Sequence, residues 1–182
     1  MDMTVDDIFS IYLHQGSSLY LGEPVTVAQH ALQSAHFAGA AGAADVLVVA
    51  ALLHDIGHLV ESVPDDIGDW ATDAHHELTG SRWLEACFGP QVCEPVRLHV
   101  SAKRYLCATE PEYLRTLSAA SVLTLKLQGG PMDAAEVATF QNEPYYTDAV
   151  LLRRCDDQAK VTDLKTADFN HYHALIAHLM AG

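Results

Sequence analysis

The stretch LLHDIGH, residues 52–58, lies inside the apolar run VLVVAALLHDIGHLV, residues 46–60. A run with so few polar positions reads as a helix buried on all sides. It nonetheless carries two histidines and an aspartate within five positions. Burying a carboxylate costs several kcal/mol (on the order of 3–5) unless a cation or donors meet it. The chain must therefore supply Asp55 with a partner, and the partner defines the chemistry.

Outward from this run, apolar residues recur at three- and four-residue spacing, and alternating strand patterns with turn pairs are missing. The expected class is all-α, a helical bundle. The spacing predicts helices over 4–16, 26–41, 44–60, 74–88, 91–104, 111–128, 133–141, 145–156 and 169–180. Glycine and proline mark the breaks, at Gly22 to Pro24, Gly42, PDDIGD (64–69), Gly89-Pro90 and GGP (129–131). Residues 61–73 read as a loop over a site. At 182 residues, half of them apolar, the chain is expected to form a single domain over 1–182.

The charge balance narrows the partners. Ten basic residues against 24 acidic ones argue against a nucleic acid or an anionic membrane, which need a positive field. Any anionic substrate must be captured locally. Cys87, Cys93, Cys107 and Cys155 show no CxxC pairing, and the N-terminus MDMTVDDIFSIY is acidic where a secretory leader would be basic. The expected setting is the cytoplasm, with four reduced thiols.

Six of the possible metal ligands fall in the order H…HD…H…H…D. His30 lies in VAQHALQSAHFA, His54 and Asp55 in the apolar run, His76 in DAHHELTGSRWL, His99 in VRLHVSAKRYL and Asp156 in LLRRCDD. A lone histidine on any of these helices is more commonly a packed or surface residue. Imidazoles and carboxylates together suit iron, manganese or zinc, and the missing cysteine pairs speak against a structural zinc finger.

This order resembles the HD-domain superfamily, in which a histidine, a His-Asp pair and a distant aspartate sit on a helical bundle. His30, His54, Asp55 and Asp156 match the basic motif, and His76 and His99 match the extra histidines of its dinuclear branch. With YLGEPVTVAQHALQSA (20–35), HVSAKRYL (99–106), LQGGPMD (127–133) and the late R-x-x-D, the chain looks like the mixed-valent diiron oxygenases that cleave carbon–phosphorus bonds. The resemblance implies two iron ions, Fe(II) and Fe(III), with O2 as co-substrate. The family's substrates are 2-amino-1-hydroxyethylphosphonate, giving glycine and phosphate, and its trimethylammonium analogue, giving glycine betaine and phosphate. It further implies that Asp55 bridges the irons, that His30, His54 and Asp156 complete one, and that His76 and His99 hold the other. His75 competes with His76, but His76 carries the matching Glu-x-x-Gly. Tyr20 and Glu23 match a pair that covers the open iron position until substrate arrives.

Six of the ten basic residues lie within five positions of His99 or Asp156: Arg97, Lys103, Arg104, Arg153, Arg154 and Lys160. Lys103 and Arg153 share a helical face with the neighbouring ligand candidates and are expected to point inward, Arg104 and Arg154 elsewhere. The resemblance assigns Lys103, Arg153, His58, Ser121 and Gln128 to the phosphonate oxygens, a task that suits the arginine fork. For a quaternary ammonium the aromatic candidates are Tyr20, Trp70, Tyr105, Tyr145 and Tyr146, and the reading leans to the trimethylammonium substrate. The rival is a metal-dependent HD phosphohydrolase of nucleotides or other phosphate esters, which the basic cluster suits equally well. A metal-free regulatory module is disfavoured, because every expected ligand type is present.

Overall fold

The computed structural model describes residues 3–60 and 75–181. The expected loop 61–73 and Trp70 fall outside these residues. Among the described residues there are eleven helices and no strand: α1 (Val5–Gln15), α2 (Val27–Ala40), α3 (Asp45–Leu53), α4 (Gly57–Val60), α5 (His76–Leu84), α6 (Pro90–Thr109), α7 (Tyr113–Thr116), α8 (Ala119–Leu127), α9 (Ala134–Phe140), α10 (Tyr146–Gln158) and α11 (Phe169–Met180). None is long and apolar enough to cross a membrane.

Local chemistry explains where several of them start. Thr4, Thr26 and Asp133 each accept from the backbone N–H three residues on, and each closes a capping box with the side chain there. Pro90 opens α6, where its missing N–H has no helical partner to lose. α3 has no capping side chain, and Leu47 through Leu53 are all buried. Burial, rather than propensity, holds it helical.

Helices α2, α3, α6 and α10 pack on one another around α3, α5 lies against α4 and α6, and α11 covers α3 and α1. Most buried apolar side chains form one cluster, including Ile8, Tyr12, Leu52, Leu53, Ile56, Leu84, Leu152 and Ile176. A smaller cluster joins Leu98, Ala102, Phe140 and Ala149 under α9, with Tyr105, Tyr145 and Tyr146 packed against it. Those three tyrosines, named from the sequence as aromatic candidates for an ammonium group, therefore pack on a satellite core.

Two expected helices are broken. The 44–60 segment ends α3 at Leu53 and resumes as α4 at Gly57. Between them the backbone tightens, with Ile56 N–H donating to Leu53 O and His58 N–H to Asp55 O, each three residues back. The 111–128 segment splits at Leu117, whose backbone is extended, and Ser118 caps α8 by accepting from Ser121 N–H. In the other direction α6 runs to Thr109, beyond the expected 104.

All four cysteines are free thiols. Burial, then the carboxylates of Glu85 and Glu94, pushes Cys93 up to about 11. A thiol raised above its ordinary value stays protonated, and unreactive, at pH 8. Iodoacetamide at that pH is expected to spare Cys93 in the folded protein and to label it in denaturant, read by peptide mass. Labelling in the folded state would contradict the packing described.

Candidate dinuclear metal centre

The six expected ligands arrive from separate elements and converge. α2 brings His30, the tight turn after α3 brings His54 and Asp55, and α5, α6 and α10 bring His76, His99 and Asp156. All six are at least nine-tenths buried. Asp55 sits between two groups. Its Oδ2 lies 3.3 Å from His54 Nε2 and 3.6 Å from His30 Nε2. Its Oδ1 lies 3.4 Å from His76 Nε2 and 3.6 Å from His99 Nε2. Asp156 Oδ1 closes the first group, 3.3 Å from His30 Nε2.

The imidazoles are held by their far nitrogens. His30 Nδ1 donates to Ala159 O at 2.8 Å, His54 Nδ1 to Ala51 O at 2.9 Å, and His99 Nδ1 to Val96 O at 2.7 Å. A neutral ring with its proton on Nδ1 has a bare lone pair on Nε2. Burial, then the neighbouring imidazoles, keeps His99 well below the usual histidine value, so it is neutral. Nε2 atoms then approach in pairs, His30 to His54 at 3.3 Å and His76 to His99 at 3.2 Å.

At His54 burial opposes protonation, but the Asp55 and Asp156 carboxylates outweigh it and raise the ring above its usual value, so the surroundings favour a positive charge there. Two carboxylate oxygens of the cluster, Asp55 Oδ2 and Asp156 Oδ1, are buried without a hydrogen-bond partner. Such atoms are costly unless something positive meets them. His30, His54 and Asp156 have donor atoms close enough to share one ion, as do His54, Asp55 and His99, and Asp55, His58 and His76. The donor set fits cations held beside Asp55, which would supply the partner that its buried carboxylate requires.

A family model for the HD domain matches residues 24–134. The chain is 43% identical to the 1-hydroxy-2-(trimethylamino)ethylphosphonate dioxygenase (glycine-betaine-forming) of Leisingera caerulea, over 97% of this chain and 90% of that protein. It is 45% identical to the hydroxymethylphosphonate dioxygenase of Gimesia maris, over 93% of this chain and 84% of that protein. The chain belongs to the phosphonate dioxygenase branch of the HD-domain family. α10, with Asp156, lies beyond the matched 24–134 range, so this HD protein completes its cluster from outside the segment that the family model covers.

A pocket opens on the Asp55 side of the cluster. Its wall includes Tyr20, Glu23, His58, Lys103, Ser121, Gln128 and Arg153, all expected from the sequence. It also includes Thr124 and Lys160, which were not singled out as site residues. Thr124 follows Ser121 by three positions, and Lys160 follows Asp156 by four, a spacing that could have flagged both. Lys103 and Arg153 are buried, 2% and 5% exposed. Arg104 instead pairs with Glu136 and Arg154 with Glu110, both away from the pocket. His76 is in the cluster, whereas His75 is exposed as the residue before α5.

Tyr20 and Glu23 stand on one hairpin. Tyr20 N–H donates to Val25 O and Glu23 N–H to Tyr20 O, with Leu21 and Gly22 both at positive φ in the turn. The Tyr20 ring stacks on His30, centroids 3.8 Å apart. Glu23 Oε1 is buried without a hydrogen-bond partner. Behind this hairpin the cavity measures about 30 Å³, room for roughly two waters. His58 stacks on His76 at 3.9 Å and forms the opposite wall. Glu77, the glutamate of the Glu-x-x-Gly after His76, is buried with Oε2 3.6 Å from His76 Nδ1.

Proposed function

We propose that the chain, as one HD domain over residues 1–182, is a mixed-valent diiron oxygenase. It uses O2 to cleave the carbon–phosphorus bond of a 1-hydroxy-2-ammonioethylphosphonate, the trimethylammonio form by preference. The products are phosphate and glycine betaine, or glycine from the primary amine. The balance is R–CH(OH)–PO3H2 + O2 giving R–COOH + H3PO4. The observation that carries this reading is the division of Asp55, one carboxylate oxygen toward His30 and His54 and the other toward His76 and His99. Similarity over most of the chain to two phosphonate dioxygenases supports it.

The iron pair would be held by His30, His54, Asp156, His76 and His99 with Asp55 between, and when bound supplies the redox chemistry with O2. The chain's own residues capture and orient the substrate. Lys103, Arg153, His58, Ser121 and Gln128 surround the place of the phosphonate oxygens, neutralising a dianion in a chain of net charge −14. Tyr20 and Glu23 act as a cover. They stand beside a cavity of about 30 Å³, and on this reading both swing out as substrate binds, while shielding the site beforehand limits wasted oxidation. Tyr20 is also the aromatic face, and Glu23 the carboxylate, that the pocket offers to an ammonium group. The four free thiols support a cytoplasmic setting.

The test is a low-temperature electron paramagnetic resonance spectrum of the iron-loaded, partly reduced protein, with and without a 1-hydroxyphosphonate. The expected result is a coupled Fe(II)/Fe(III) signal that the phosphonate perturbs, with O2-dependent phosphate release fastest for the trimethylammonium substrate among it, the primary amine and hydroxymethylphosphonate. A protein that gives no such signal, yet hydrolyses phosphate esters with another divalent metal, would be a hydrolase instead.

A further inference from the structure

Three cationic side chains meet on one wall of the pocket, and they are not equivalent. Lys103 donates to Thr124 Oγ1 at 2.8 Å, Lys160 to Ser121 Oγ at 3.1 Å, and Arg153 to the same Ser121 Oγ at 3.5 Å. Arg153 is largely matched by acids behind the wall. One terminal nitrogen lies 2.7 Å from Asp156 Oδ2, the other meets Asp157, and Nε donates to Tyr113 OH at 3.2 Å. Lys160 has a neutral hydroxyl as its hydrogen-bond acceptor and, among the described residues, no carboxylate within ion-pair distance. Its positive charge therefore faces the pocket without a counter-charge in contact.

The backbone around Lys160 is clamped. On one side Ala159 O accepts from His30 Nδ1 at 2.8 Å. On the other, Val161 N–H donates to Gln33 Oε1 at 2.9 Å and Val161 O accepts from Gln33 Nε2 at 2.8 Å. Gln33 is buried on α2, three residues after His30. Both neighbours of Lys160 are thus tied to the helix that carries a metal ligand, although α10 has already ended at Gln158. With the backbone held from both sides, only the lysine's own side-chain torsions remain to be ordered on binding. One side of α8, through Ala120, Ser121 and Thr124, lines the same wall.

We propose that Lys160 is a substrate-binding residue that grips an anionic phosphonate oxygen, and that Gln33 is the positioning residue that presents it. On substrate entry the ammonium exchanges the Ser121 hydroxyl for the phosphonate, while Arg153 keeps Asp156 aimed at the metal cluster. This assignment rests on the phosphonate reading of the site but is tested apart from oxidation.

The experiment is calorimetric titration of the metal-loaded full chain with inorganic phosphate and with methylphosphonate, which lacks the reactive 1-hydroxyl. Lys160→Met is expected to weaken both by about ten- to hundredfold, Lys160→Arg to restore most of the loss, and Gln33→Met to fall between. Lys126→Met, an exposed lysine on α8, is the control for general charge and leaves both affinities unchanged. In the unmutated protein, phosphate is expected to protect Lys160 from reductive methylation while Lys126 reacts regardless, a readout independent of whether any variant folds. Undiminished affinity in Lys160→Met, or methylation of Lys160 unaffected by saturating phosphate, overturns the assignment. Phosphonate binding through Lys160 without phosphate release from any 1-hydroxyphosphonate would support the assignment and sink the oxygenase reading alone.

Discussion

Asp55→Asn is expected to lower bound metal from about two ions per chain to about one or fewer, and to cut phosphate release at least about a thousandfold. The substitution conserves volume, so it opens no cavity. It replaces one carboxylate oxygen by an amide nitrogen, which cannot ligate, while the other oxygen can still serve one group of histidines. Either orientation of the amide leaves His30 with His54, or His76 with His99, without the shared anion that now lies 3.3–3.6 Å away. Stability separates this loss from misfolding. In chelated protein the variant is expected to unfold cooperatively, as the unsubstituted chain does, so that loss of metal is not loss of fold. Added metal should raise the melting temperature of the unsubstituted chain by mass action and barely move the variant. Elemental analysis and thermal unfolding of the same samples decide it; two ions per chain in the variant would mean that Asp55 does not bridge.

Gly57→Ala should be the most damaging small change outside the ligands. A Cβ on Gly57 would fall 2.0 Å from His76 O and 2.9 Å from Gly80 N, while one on Gly80 would fall 3.0 Å from Gly57 N. The two glycines let α4 and α5 touch backbone to backbone, and the atoms in the way belong to backbone that cannot rotate aside. The expected cost is about 3 kcal/mol of unfolding free energy. Because the clash falls on His76 itself, occupancy of the His76 and His99 side should suffer more than that of the His30 and His54 side. Gly39→Ala gives the contrast: it is an exposed helical position where an added Cβ meets nothing within 4 Å. That change should be neutral or stabilise by roughly 0.5–1 kcal/mol. Denaturant unfolding of the two variants, with metal content measured alongside, gives both readouts; an equally stable Gly57→Ala would refute the backbone contact.

Much of this molecule was legible in one dimension. The helical period over almost the whole chain and a histidine-aspartate pair inside an apolar run are local facts. Each states a cost or preference that any fold of this chain must respect, and together they pointed to an all-helical bundle around a metal cluster. The break at His54–Ile56 was not legible, because apolar periodicity continues through it and only the approach of α5 to Gly57 shows why the helix must yield there. The place of Tyr105, Tyr145 and Tyr146 was not legible for a related reason: composition cannot say which of several aromatic residues faces a site and which fills a second core.

The sequence by itself determined which donor atoms exist and in what order they occur, since ligand type and helical spacing are carried by single residues and their near neighbours. Only the tertiary structure decided that Asp55 turns one oxygen to each pair of histidines, and that the backbone on either side of Lys160 is tied to α2 with the lysine toward the pocket. These depend on contacts between separate elements, Asp55 with His76 and His99 and, across 129 positions, His30 with Ala159. Such contacts are set by how whole faces pack, which no local pattern encodes.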